Sequence, residues 1–331
     1  MVRFFTILLV YLLVSIVGQA DARPSPRETS ASESKSAPKK KKDNYRGDFR
    51  IFAPVWVTGN GESLPTENLT AKVGARDLKV RGGRLEESPL LLFVAIDFSD
   101  DLILTESAKT ALASAVQSVA PNVYTSLLRI PEQPMVITDP SVDRDAFVAA
   151  LRTLPMSGRA GFFEMVDVVS GVTEPVVRSH PVRAAVLYLT DSEISNYRTD
   201  YTNPVINSAD SRDLSRRFPD ALIREKVSTL TNTLLQTSVP IFVVHLRYRS
   251  DTLNEAYQTG LRRLSEATGG QAVFCRSIAE IPESITNMVN TIQKMNVLEI
   301  EVPANVNGSF VLSLENGTGS LQYRTLFQRP R

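Results

Sequence analysis

The sequence predicts an α/β fold: a doubly wound, mainly parallel sheet with flanking β segments. Two observations carry this reading. In the middle of the chain, short continuous apolar runs of the kind buried on both faces alternate with stretches whose apolar residues recur at helical spacing. On either side of that region the pattern becomes strand-like, with turn residues and no helical period between the strands.

The first buried strand is Leu90 to Ile96, followed by Leu104, Ala108, Ala111, Leu112, Ala115 and Val119 at helical spacing. Further strands are expected at Val123 to Ile130, Ala184 to Leu189, Val239 to Val244 and Ala272 to Cys275. Helices are marked by Leu222, Ile223, Val227, Leu230 and Leu234, then by Leu253, Tyr257, Leu261 and Leu264, and last by Ile281, Ile285, Met288, Val289 and Ile292. Before this region, the run Ile51 to Val57 reads as a strand, and Pro54 makes it an edge or interrupted one because proline cannot donate to a ladder. After Met295, strands are expected at Val297 to Val302, Phe310 to Leu314 and Leu321 to Phe327, separated by Asn-Gly turns at Asn307 and Asn316. This tail is expected to pack with residues 49–80 as a small β unit.

The organisation that follows is a signal peptide over 1–22, a basic linker over 23–49, an N-terminal β segment over 50–88, the α/β domain over 89–295 and a C-terminal β segment over 296–331. The signal reading rests on Arg3, the apolar run Phe4 to Val17 and the small residues around Ala20 and Ala22. That run is shorter than the roughly 20 residues a spanning helix needs. Export to a secreted, periplasmic or cell-envelope location is therefore expected. Residues 23 to 50 hold nine Lys/Arg against four Asp/Glu, including Lys39 to Lys42 in the linker. The linker reads as a solvated tether, with contact to an anionic surface as the alternative.

Composition excludes several functions. With 43% hydrophobic and 22% charged residues the chain is an ordinary globular one, and past the linker acidic side chains outnumber basic ones, which argues against nucleic acid as a partner. One cysteine, Cys275, sits in an apolar run and can form no internal disulfide. The two histidines, His180 and His245, lie in no metal-ligand spacing and beside no candidate nucleophile, so the chain is expected not to be an enzyme.

Ligands of open parallel sheets gather at the carboxyl ends of the strands. There the first strand ends in Asp97-Phe98-Ser99-Asp100-Asp101, and Ala184 to Leu189 ends in Thr190-Asp191-Ser192-Glu193. If the two strands are neighbours, Asp97, Ser99, Asp101 and Asp191 converge, and carboxylates with a hydroxyl suit a hard cation. Asp97, Ser99 and Asp191 could equally cap the helices that follow them. The segment from Glu193 to Arg217 is long for a strand-to-helix connection, and its Tyr197, Arg198 and Tyr201 are candidate partner contacts.

Over residues 89–295 the sequence resembles a von Willebrand factor A domain, specifically the related domain of exported bacterial proteins. Leu91 to Asp101 is similar to that family's apolar strand and Asp-x-Ser-x-Ser, Gly158 to Glu164 to its Gly-Gly-Thr-Ala-Leu-Tyr-Asp loop, and Leu189 to Ser192 to its Leu-Thr-Asp-Gly. Val239 to Val244 and Ala267 to Gly270 match its later strand and turn. The resemblance implies a metal-ion-dependent adhesion site in which Asp97, Ser99 and Asp191 hold Mg²⁺, or Mn²⁺ or Ca²⁺, and a partner carboxylate completes the coordination. Two positions depart from the pattern: Asp101 replaces the last Ser, and Ala160 stands where the loop Thr would be. The expected function is binding of a protein or envelope polymer through a partly degenerate site. The alternatives are an envelope scaffold with a non-functional site and, more remotely, a metal-dependent hydrolase.

Overall fold

A computed structural model describes residues 47–58, 64, 69–99, 101–131, 134–156, 158–197, 219–316 and 320–329. The expected signal peptide, most of the linker with Lys39 to Lys42, and Arg198 and Tyr201 lie outside the described residues. Two sheets organise the chain.

The α/β sheet has the order β6-β5-β4-β7-β8-β9. Its strands are β4 (Leu90–Asp97), β5 (Val123–Arg129), β6 (Met135–Ser141), β7 (Arg183–Thr190), β8 (Ile241–His245) and β9 (Ala272–Phe274). All pairs are parallel except β5 with β6. Central β4 and β7 are buried at every residue, which explains their unbroken apolar runs: helices cover both faces, so neither face needs a polar side chain. The helices are α1 (Leu102–Gln117), α2 (Arg144–Thr153), α3 (Phe162–Ser179), α4 (Pro219–Leu234), α5 (Thr252–Thr268) and α6 (Ile281–Gln293). Asp101, Asp143 and Asp251 cap α1, α2 and α5 by accepting the backbone N–H three residues on. Gly269, with φ of 89°, ends α5 in the left-handed region.

The second sheet is antiparallel, ordered β12-β1-β10-β3-β2-β11-β13, and joins both ends of the chain. Its strands are β1 (Phe49–Thr58), β2 (Leu69–Val73), β3 (Arg76–Arg84), β10 (Asn296–Val302), β11 (Ser309–Asn316), β12 (Ser320–Tyr323) and β13 (Leu326–Gln328). Strand periodicity splits β1 between two cores. Ile51, Ala53 and Val55 enter a small core with Leu298, Ile300 and Leu312, while Phe52 and Trp56 join the core of the α/β unit. Pro54 falls where β1 has only β10 beside it, because pairing with β12 begins at Val55.

The structure differs from the sequence reading in three places. Leu321 to Phe327, expected as one strand, is divided into β12 and β13, which pair with β1 and β11 at opposite edges of the sheet. β6 and α2 were not among the expected elements: β6 is a half-exposed edge strand containing Pro140, so it lacks a buried strand's apolar run, whereas α2 carries Phe147, Val148 and Leu151 at helical spacing after its Asp143 cap. Asn307-Gly308 does not form a hairpin, since β10 pairs with β1 and β3 while β11 pairs with β2 and β13. Distant strands compete successfully for those edges.

Two buried arginines clasp the units together. Arg183, at the start of β7, donates to the carbonyls of Glu86, Ser88, Gln293 and Met295, which lie on the segments entering and leaving the α/β unit. Arg324 donates to the carbonyls of Leu235, Thr237 and Leu326 beneath Phe327. Trp56 adds a bond from Nε1 to the Thr291 carbonyl at 2.8 Å and an edge contact with Phe242.

Candidate functional site at the strand carboxyl ends

β4 and β7 are neighbours, with Asp97 in register with Thr190. Their ends therefore bring together the four residues expected there. Asp191 accepts from Ser99 N at 2.7 Å, Ser99 Oγ at 3.0 Å and Asp101 N at 3.2 Å. Asp97 accepts from Gly161 N at 3.0 Å, so it secures the loop that opens α3. Asp101 spends one oxygen on Leu104 N as the cap of α1. The described bonds of Asp97, Ser99 and Asp191 cap no helix of their own segment, and α1 is capped by Asp101. Asp97 and Asp191 instead tie separate segments to one another.

Beneath the hollow runs a buried hydroxyl chain. Thr190 Oγ1 meets Ser192 Oγ at 2.6 Å, Ser192 Oγ meets Tyr257 Oη at 2.7 Å, and Tyr197 Oη donates to Tyr257 Oη at 2.7 Å. Tyr197, expected as a partner contact, is thus corrected to a core residue. It is 3% exposed and packs against Phe163 and Tyr257, because an isolated bridge to Ala160 draws the chain inward at this point. Ala160 occupies the loop position with its N–H on the Asn196 carbonyl and its methyl buried. It offers no side-chain oxygen to the hollow.

The hollow itself, of about 330 Å³, is closed on its other side by residues that the acidic and hydroxyl pattern did not point to: Asn196, Arg247 and Arg249. Asn196 Nδ2 donates to Ser99 Oγ at 3.2 Å. Arg247 Nη1 lies 3.5 Å from Asp101 Oδ2, and Arg249 Nε lies 2.8 Å from Glu193 Oε2. Both arginines leave the carboxyl end of β8, so the strand-end rule that found Asp97 and Asp191 also applied to Arg247-Tyr248-Arg249. Searching those ends for oxygen ligands alone passed over them.

Burial governs the ionisation here. It pushes the Asp97 carboxyl from 3.8 up to about 7, against the opposing bond from Gly161 N–H and with help from the charge of Asp191. His245 is wholly buried with Nε2 on the Ser192 carbonyl at 2.7 Å, and burial lowers it from 6.5 to about 4. The Cys275 thiol is pushed up by burial.

This donor set does not fit a hard divalent ion. Asp97 has no exposed surface and faces Gly161 N–H, Asp191 already accepts three donors, and Ala160 contributes no oxygen. The remaining carboxylates of the hollow, Asp101 and Glu193, each have a guanidinium beside them, that of Arg247 and that of Arg249. Among the described residues no group of three or more His, Cys, Asp or Glu side chains is placed to hold a metal.

The strand order and the strand-end hollow define a doubly wound α/β domain with a polar hollow at its strand carboxyl ends, carried on an antiparallel β unit. Solved structures similar to the chain include von Willebrand factor A domains. One is a von Willebrand factor type A protein from Catenulispora acidiphila, at 12% identity and a TM-score of 0.45, covering 86% of this chain and 74% of that one. Another is the vWF domain of the type V pili tip protein Mfa5 from Porphyromonas gingivalis, at 12% identity and 0.42, covering 62% and 95%. A third is BatB from Bacteroides thetaiotaomicron, at 12% and 0.39, covering 62% and 99%. No protein-family model matches the chain, and no curated protein matches it. The fold assignment rests on the strand order and helix placement of this chain.

Proposed function

We propose that the chain is an exported, non-enzymatic binding protein that engages a protein partner through the face at the carboxyl ends of β4, β7 and β8. The observation that carries this reading is the pairing of a polar hollow with exposed apolar residues at its rim. Leu102 and Ile103, directly after Asp101 in the first turn of α1, are 64% and 69% exposed, whereas Leu104 lines the hollow. Large apolar side chains held in water beside a polar recess suit a protein interface. A binding role is also supported by the packing of His245 and Cys275, both buried and engaged in holding the fold. Export rests on the N-terminal sequence pattern, and among the described residues no helix is long and apolar enough to cross a membrane.

A photo-reactive residue placed at Ile103, with a second at Val311 on β11 as the control, tests the face in the native envelope. The expected result is partner crosslinking from position 103 and none from 311. Crosslinking confined to 311 would favour the scaffold reading, in which the β unit mediates assembly. No crosslinking from 103 rejects the proposed face.

A further inference from the structure

We infer that the hollow takes an acidic side chain of the partner on Arg247 and Arg249, without a metal ion, and that Leu102 and Ile103 receive an apolar residue next to it. This rests on the face proposed above and specifies the chemistry it recognises.

The turn that carries the arginines is held at every residue. Leu246 N donates to the Thr190 carbonyl, Arg247 N to His245 Nδ1, Tyr248 N to the Cys275 carbonyl and Arg249 N to Gln258 Oε1. Gln258 returns a bond from Nε2 to the Arg249 carbonyl. Gln258 and His245 are themselves buried, so the backbone of the turn rests on the core. Its guanidinium groups are held less firmly. The Arg247 side chain is 52% exposed and its ion pair among the described residues, to Asp101, is long at 3.5 Å. Arg249 is 32% exposed beside Glu193. A rigid backbone bearing partly exposed, planar, permanently charged donors suits bidentate capture of a carboxylate.

The local charges permit that exchange. The negative charge of Asp191 is already met by Ser99 N, Ser99 Oγ and Asp101 N. Asp101 keeps the N-terminus of α1 through Leu104 N when Arg247 turns away from it. Arg276, whose guanidinium lies 5.9 Å from the centre of the Tyr248 ring, adds a third positive charge beside the turn. An incoming carboxylate therefore replaces the long contact of Arg247 with Asp101 and shares the Arg249 guanidinium with Glu193, which lies 2.8 Å from its Nε. The same guanidinium next to Asp101 opposes a divalent cation at that carboxylate, which links the poor metal fit to a positive ligand charge.

The test uses the full mature chain and the capped peptide Gly-Gly-Leu-Asp-Gly-Gly, titrated while amide signals of the protein are followed by NMR, in EDTA and again with MgCl₂. Companion peptides carry Asn or Lys in place of Asp, or Gly in place of Leu. The expected result is a saturable shift of the Ser99, Asp101 and Arg247 to Arg249 signals by the Leu-Asp peptide, equal in EDTA and MgCl₂. The Asn and Lys peptides should bind at least about tenfold more weakly. An Arg247→Gln/Arg249→Gln variant should lose about tenfold or more for the Asp peptide while keeping its fold, checked by an unchanged remainder of the spectrum. An Ile103→Ser variant should lose the preference for Leu over Gly. Binding that requires MgCl₂, equal binding of the Asn peptide, an unaffected double glutamine variant, or no binding of the Asp peptide would each overturn the inference. Crosslinking from position 103 that persists undiminished in the double glutamine variant overturns it too, while leaving the proposed face standing.

Discussion

Replacing Asp97 with Asn should stabilise the protein at alkaline pH and leave it little changed in acid. Asp97 has no exposed surface, and its Oδ1 accepts from Gly161 N at 3.0 Å while Thr190 Oγ1 stands 3.5 Å from Oδ2. An asparagine keeps the acceptor toward Gly161 and places an amide toward the Thr190 hydroxyl, so shape and hydrogen bonding survive. What disappears is the cost of a buried charge. With the folded-state pKa raised from 3.8 to about 7, the folded protein binds the proton more tightly than the unfolded chain. The stability that Asp97 contributes in its protonated form is present below the unfolded value and is lost as pH rises through the folded one. The full difference corresponds to about 4 kcal/mol, an upper figure because relaxation and water entry lessen it. D97N should therefore exceed the parent by about 2–4 kcal/mol at about pH 8, a Tm rise on the order of 10 °C, with the gap closing by about pH 4. Thermal unfolding of both proteins across that range measures the gap. A D97N protein less stable than the parent at alkaline pH, or a gap independent of pH, would refute the reasoning.

His245 acts in the opposite direction over an overlapping window. Its folded pKa is lowered from 6.5 to about 4, so its contribution is present above 6.5 and is lost as pH falls toward 4; in the D97N background unfolding free energy should drop by about 3 kcal/mol across that interval, and a flat profile from denaturant titrations would count against the assignment. Arg183→Met should destabilise by about 3–5 kcal/mol, because four backbone carbonyls lose a charged donor, and hydrogen exchange should rise first in the segments around Ser88 and Met295. Gly270→Ala should cost at least about 3 kcal/mol, since a Cβ there would overlap the Ile241 carbonyl, and unchanged denaturation of that variant would contradict the packing of the Gly269-Gly270 turn on β8.

The parallel strands were legible because burial on both faces writes itself as an unbroken apolar run, and β4, β5, β7 and β8 follow those runs to within two residues at either end. β6 was not, since an edge strand with intermediate burial and a proline carries neither a run nor an alternation. Nor could local sequence order the antiparallel sheet. Asn307-Gly308 has the composition of a hairpin turn, yet β10 satisfies its two edges with β1 and β3, strands more than two hundred residues away in the chain. At the site, Asp97, Ser99 and Asp191 were legible from their places at strand ends. Their partners were not: whether a carboxylate faces solvent or a backbone N–H depends on the loop that lies over it. Tyr197 shows the same limit, because a tyrosine in a long polar segment reads as exposed until Ala160 and Asn196 are seen to draw it into the core.

The two sheets divide labour along the strand direction. The described contacts that join the β unit to the α/β unit fall at the amino ends of the parallel strands or beside them: Arg183 opens β7, Arg324 reaches the Leu235 and Thr237 carbonyls just before β8, and Trp56 bonds to the Thr291 carbonyl near the end of α6. Arg183 holds the entering and leaving segments at one place, so the chain begins and ends its passage through the α/β unit on that side. The hollow with Arg247 and Arg249 lies at the opposite, carboxyl ends. A β unit attached there would cover Leu102 and Ile103; attached where it is, it leaves them in water. The arrangement therefore separates the residues that secure the fold from those proposed to meet a partner. It also allows the arginine face to change its ligand without disturbing the clasp, because the two sets of residues share no hydrogen bond among the described contacts.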